Sequence, residues 1–129
     1  MAAVFQKDDH EVEVSYEVED TYFDIDTIVP LGLIANELFT NSFKYAFNYG
    51  VAGKIVMSMS KIQKGSFILT YQDNGPGLPE QFDIQKASSL GLRLIYRLGK
   101  QLGGTASYDK QQNMFTIKFK DSVTRKQYE

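Results

Sequence analysis

Three groups of residues in this chain have types and spacings that could do chemistry. The first is Glu37, Asn41 and Lys44 or Tyr45, spaced i, i+4 and i+7 or i+8, which aligns them along one stripe of a helix. A carboxylate, a carboxamide and an ammonium in line, beside Ile34 and Leu38, could hold a divalent cation together with phosphates. Oxygen ligands suit magnesium, which takes few protein ligands and lets phosphates supply the rest. The solvated edge of an amphipathic helix would display the same residues.

The second group is Asp73-Asn74-Gly75-Pro76-Gly77-Leu78-Pro79. An aspartate at the end of a strand can accept a hydrogen bond from an exocyclic amine such as that of adenine. Glycines at 75 and 77 would let the backbone approach a flat ligand without Cβ obstruction. The same residues also make a good turn that does nothing more than reverse the chain. The third group is Ser88-Ser89-Leu90-Gly91-Leu92-Arg93, where serines can cap a helix and Gly91 lets its first-turn amides come close to an anion. A serine cap with nothing bound is the plain alternative.

These groups need elements to position them. Val12, Val14, Tyr16 and Val18 alternate with polar residues over 10–19 and predict a half-buried strand. From Asp26 the period changes, and Leu31, Ile34, Leu38, Asn41 and Tyr45 recur at helical spacing. Asp26 or Thr27 would cap this helix, with Pro30 tolerated in its first turn and an end near 47–50. Strands follow over 54–61 and 66–73, with Lys64-Gly65 as their hairpin turn. Residues 78–87 read as a short flap. A second helix over 90–102 carries Leu94, Ile95, Leu98 and Leu102 as its apolar stripe, and Gly103-Gly104 ends it. Residues 105–108 and 113–119 form a closing hairpin, and 121–129 a polar tail. This order predicts an α+β domain: a two-layer sandwich with helices on one face of a mainly antiparallel mixed sheet.

Composition narrows the function. The 129 residues are 43% hydrophobic, 13% aromatic and 23% charged, which suits one globular domain with a core over about 10–120 rather than a disordered chain. A net charge of −2 argues against a nucleic-acid binder. With no cysteine there is no disulfide, thiolate metal site or cysteine nucleophile, and one histidine leaves little for zinc. The apolar runs are far shorter than the roughly 20 residues that span a bilayer, and residues 1–6 carry no secretory signal. The reading is a soluble cytoplasmic domain without direct membrane contact, from a parent that could itself be membrane-anchored.

Order and spacing together say more than any single group. Residues 26–119 resemble the ATP-binding catalytic domain of bacterial sensor histidine kinases, a branch of the fold shared with gyrase and the heat-shock-90 chaperones. Residues 33–45, Leu-Ile-Ala-Asn-Glu-Leu-Phe-Thr-Asn-Ser-Phe-Lys-Tyr, look like the family's asparagine box; 73–79 and 89–95 are similar to its two glycine boxes. The resemblance implies Mg-ATP as ligand, with Asn41 on magnesium and Lys44 on the phosphates. Tyr45 would lie against the base or sugar, and Asp73 would accept from the adenine amine with Gly75 and Gly77 allowing the approach. Ser89, Leu90, Gly91 and Leu92 would surround phosphate oxygens. Glu37 stands where ATP-hydrolysing relatives carry a general base; in a kinase it would order water on the magnesium. The implied partners are a separate helical dimerisation and phosphoacceptor domain, which supplies the histidine, and a downstream response regulator.

Some residues depart from the family pattern. Ala87 and Ser89 replace glycines, and Phe82 is the only aromatic in the flap. Gln112-Asn113-Met114-Phe115 replaces a common Gly-Thr pair, so no site residue is expected on the last strand. Lys86 and Arg93 could neutralise phosphate charge or be solvated surface charges. His10 opens a strand rather than lying on a helical hairpin, so it reads as a surface residue and not as a phosphoacceptor. The competing readings are a degenerate nucleotide-binding or docking module without turnover and an anti-sigma-type serine kinase of the same fold.

Overall fold

The computed structural model describes residues 2–7, 10–47, 52–78 and 90–127. Its strands are β1 (Ala2–Lys7), β2 (His10–Val18), β3 (Gly53–Gln63), β4 (Ser66–Asp73), β5 (Thr105–Asp109) and β6 (Met114–Lys120). The helices are α1 (Ile25–Asn41), α2 (Leu90–Gln101) and the short α3 (Ser122–Lys126), and α1 runs on into a single π-helical segment, Ser42–Ala46. The six strands form one sheet in the order β1-β2-β3-β4-β6-β5. Every neighbouring pair is antiparallel except β2 and β3, which are parallel and joined by the crossover through α1. The expected sandwich with helices on one face of a mainly antiparallel mixed sheet is what forms.

Alternation places the core. Val12, Val14, Ile55, Met59, Phe67, Leu69, Tyr71, Ile117 and Phe119 turn inward from the strands. Ile34 and Leu38 of α1 meet them, as do Leu92, Ile95 and Leu98 of α2. Phe67 and Phe119 are cross-strand partners with ring centroids 5.4 Å apart, and Phe23 sets its edge against Phe67 at 4.9 Å. Val18 breaks the predicted pattern: it ends β2 and is 48% exposed.

Three features differ from the sequence reading. Strand β1, not anticipated, pairs with β2 from Ala2↔Ser15 to Lys7↔His10 and makes the sheet's outer edge. The first helix begins earlier, at Ile25: the Asp24 carbonyl accepts from the amides of Thr27 and Ile28, so Asp24 replaces Asp26 or Thr27 at the cap. Pro30 therefore lies beyond the first turn, where its missing N–H leaves the Asp26 carbonyl without its helical donor.

The residues read as a polar tail supply that donor. Arg125 Nη2 reaches the Asp26 carbonyl at 3.3 Å, and its Nη1 donates to the buried Thr27 hydroxyl at 3.1 Å. Asp121 caps α3 by accepting from the Thr124 amide, and Ser122 donates to the Asp24 carboxylate at 2.6 Å. That bond is the main reason the Asp24 carboxyl titrates below its ordinary range.

Candidate functional site

The cleft lies between α1, the start of α2 and the segment after β4, and has a volume of about 410 Å³. That is the size of a small-ligand site. Glu37, Asn41, Lys44 and Tyr45 line it from α1 and the π-helical segment, Asp73 and Gly77 from the β4 side, and Gly91 and Leu92 from α2. The expected carboxylate and carboxamide thus border a single cleft.

The π geometry matters to this wall. A π turn holds more residues than an α turn, so successive side chains rotate less around the axis. Lys44, Tyr45 and Ala46 all line the cleft in consequence, and Tyr45 is 73% exposed. Among the described residues, the Glu37 carboxylate, the Asn41 amide and the Lys44 ammonium have no side-chain partner. Also among the described residues, no three histidine, aspartate or glutamate side chains converge as a metal centre. Glu37 and Asn41, one turn apart on the cleft wall, offer oxygen donors of the kind magnesium takes, few in number from the protein.

The opposite end is tightly bonded. Asp73 Oδ1 accepts from the Gly75 amide at 2.9 Å and from Asn113 Nδ2 at 2.7 Å. Its Oδ2 accepts from the Ser42 hydroxyl at 2.7 Å. Ser42 in turn contacts the Tyr71 hydroxyl at 2.7 Å. Both Ser42 and Tyr71 are 2% exposed. Burial pushes the Tyr71 phenol well above its ordinary value, and the Asp73 charge adds to the rise.

Asn113 is the residue that sequence reasoning placed outside the site. It stands just before β6 with φ of 50°, a left-handed conformation that asparagine tolerates in a turn. From there Nδ2 reaches both the Asp73 carboxylate and its carbonyl, while Oδ1 accepts from the Tyr108 hydroxyl at 2.6 Å. That hydroxyl accepts from the Leu78 amide at 2.9 Å, and Lys110 donates to the Pro76 carbonyl. Burial, with the charges of Asp73 and Asp109, raises the Tyr108 phenol, while the Leu78 bond acts the other way. Asn113 and Phe115 both line the cleft, so the last hairpin does contribute to it.

The glycines have roles the sequence did not separate. Gly77, at φ of +79°, lines the cleft, and a Cβ there would meet the Tyr108 hydroxyl at 2.8 Å. Gly75 does not line it. A Cβ there would press 2.7 Å from the Ala46 carbonyl, so this glycine seats the loop against the π-helical segment. A Cβ on Gly91 would meet the Glu37 carboxylate, which would have to swing aside, so this glycine lets Glu37 lie against the start of α2. Ser89, with Lys86, Ala87, Ser88 and the flap over 79–89, lies outside the described residues, and of Leu90 only the backbone is described. Arg93 is exposed and does not line the cleft. His10 opens β2 as read, and its side chain is outside the described set.

Known proteins share both fold and sequence with this chain. The blue-light-activated histidine kinase 2 of Erythrobacter litoralis is 26% identical over 92 residues, covering 71% of this chain and 27% of the kinase. One of the subunits of the type 2 DNA topoisomerase 6 from Methanothermobacter thermautotrophicus is 42% identical over 52 residues, covering 40% of this chain and 10% of that protein. The chain therefore spans about a quarter or less of the length of these curated relatives. The solved histidine kinase domain of the Erythrobacter litoralis EL346 blue-light-activated kinase superposes with a TM-score of 0.78 at 22% identity, covering 89% of this chain and 54% of that one. Residues 26–123, a span that begins in the first turn of α1 and ends in α3, match the family model described as histidine kinase-, DNA gyrase B-, and HSP90-like ATPase, and the chain belongs to that family.

Proposed function

We propose that this chain is the ATP-binding catalytic part of a protein histidine kinase. It would bind Mg-ATP and present the γ-phosphate to a histidine on a separate helical dimerisation and phosphoacceptor domain, from which a response regulator would take the phosphoryl group. The observation that carries the reading is the shared cleft: Asp73 at one end, and Glu37, Asn41 and Lys44 without side-chain partners among the described residues at the other.

Asp73 would receive the amine of adenine, and Gly77 would keep the floor of the base site clear. Tyr45, exposed at the rim, would cover the base or sugar. Asn41 and Glu37 would hold magnesium, which when bound neutralises charge on the phosphate oxygens. Lys44 would bring a further positive charge, and the start of α2 at Gly91 would add the positive end of a helix. In the transfer, an imidazole nitrogen forms a bond to the γ-phosphorus as the bond from that phosphorus to the bridging oxygen breaks. ADP departs and the displaced imidazole proton passes to solvent. Positioning and charge neutralisation carry such a reaction, and the protein is asked for little covalent chemistry.

Glu37 also suits an ATP-hydrolysing relative, where a carboxylate activates water, and the topoisomerase likeness favours keeping that reading. Labelled ATP separates the two. A kinase should move label onto an added phosphoacceptor-helix protein and release little phosphate alone. Steady phosphate release with no label on the helix would overturn the kinase reading in favour of hydrolysis.

A further inference from the structure

The hydrogen bonds behind Asp73 can be assigned a direction by counting protons. Oδ1 spends both its acceptor positions on the Gly75 amide and Asn113 Nδ2. Ser42 has one proton and gives it to Oδ2. Its 2.7 Å contact with Tyr71 must then have Tyr71 as the donor. The chain of donors runs Tyr71 to Ser42 to Asp73, starting from a phenol that burial keeps protonated. One acceptor position is left on the carboxylate, on Oδ2, at the wall of the cleft.

We propose that Ser42 and Tyr71 are specificity-determining positioning residues: together they hold Asp73 with a single open acceptor site, which takes a 6-amino purine and turns away a 6-oxo purine. This rests on the nucleotide reading above. A 6-amino group brings an N–H to the open position. A 6-oxo group brings a second oxygen against a carboxylate oxygen, and the Ser42 hydroxyl bonded to that carboxylate already has its proton committed. Neither residue was singled out by the sequence reading, and neither need touch the ligand to act.

The experiment is calorimetric titration of ATP and ITP, the 6-oxo analogue, against the unaltered chain, Ser42→Ala, Ser42→Thr and Tyr71→Phe, with thermal unfolding as a check on folding. The unaltered chain should prefer ATP by about a hundredfold or more, the discrimination expected where a site built for an N–H meets an analogue lacking it. Ser42→Ala should weaken ATP about tenfold and leave ITP nearly unchanged, as loss of one hydrogen bond to a charged group predicts. Tyr71→Phe should narrow the ATP:ITP ratio about threefold by releasing the serine proton, and Ser42→Thr, which keeps the hydroxyl that Ser42→Ala removes, should keep the ratio of the unaltered chain. Tyr71→Phe reads the ratio even if Ser42→Ala does not fold. Equal weakening of both nucleotides, or an unchanged ratio in folded Ser42→Ala or Tyr71→Phe, would overturn the inference while leaving ATP binding intact. Failure of the unaltered chain to bind ATP would overturn the nucleotide reading and this inference with it.

Discussion

The two ends of the cleft are built by one helix and differ in what folding has already done for them. At the Asp73 end each buried polar group has a partner: Ser42 faces the sheet, and Tyr71 and Asn113 complete the set. At the other end Glu37, Asn41 and Lys44 stand on the same α1 and π-helical segment and line the cleft, with no side-chain partner among the described residues. The first end is finished by the protein; the second is left to be finished by what binds. An interior carboxylate has to be hydrogen-bonded to be tolerated, whereas solvated groups at a rim can wait at little cost. Substitutions at the first end should therefore cost stability as well as affinity, and those at the second affinity alone.

Asp73→Asn gives the largest expected effect. It removes the charge that three donors converge on, so ATP affinity should fall at least about a hundredfold, and the melting temperature by about 5 °C or more. Asn41→Asp should weaken Mg-ATP to a similar degree with no loss of melting temperature, because nothing in the fold depends on that amide. Lys44→Met should cost about tenfold in ATP affinity and again leave the melting temperature unchanged. Calorimetry paired with thermal unfolding reads all three variants, and equal destabilisation at both ends would break the comparison.

The smallest effect sharpens it. The Tyr71 phenol is raised above 10.0 in the fold, so above that pH the unfolded chain releases its proton first and stability should fall as pH climbs. Tyr71→Phe should be slightly less stable at neutral pH and lose less between neutral and alkaline pH than the unaltered chain. Tyr108, raised for similar reasons, would keep part of the slope. Denaturant melts at neutral and alkaline pH measure this, and parallel slopes in the two proteins would count against the burial of Tyr71 as its source.

Most of the architecture could be read from periodicity, and the misses have physical causes. Strand β4 carries its inward residues at every second position from Phe67 to Asp73, so its bounds and its buried face were both legible. The first helix is apolar over much of its circumference, with Ile25, Ile28, Val29 and Leu33 exposed, so period alone did not single out its buried stripe. That stripe runs Ile34, Leu38, Ser42 and not on to Tyr45. A hydroxyl on it, opposite a tyrosine on the inward face of β4, was the available signal for the Ser42–Tyr71 bond, since buried polar groups find partners. Asn113 announced a turn, but which acceptor it would reach depends on how the last hairpin lies beside β4, and pairing across 40 residues of sequence leaves no local trace. The tail was polar because its arginine serves a backbone oxygen left without a donor by a proline far upstream.

That Arg125 clasp bears on how the molecule comes into being. The residues it joins are 98 and 99 positions apart, so the opening turn of the helix that bears the cleft's open end stays incomplete until the last part of this stretch has emerged from the ribosome. A nascent fragment stopped at position 120 would carry every strand of the sheet and still have a frayed helix start, a ready grip for cellular proteases.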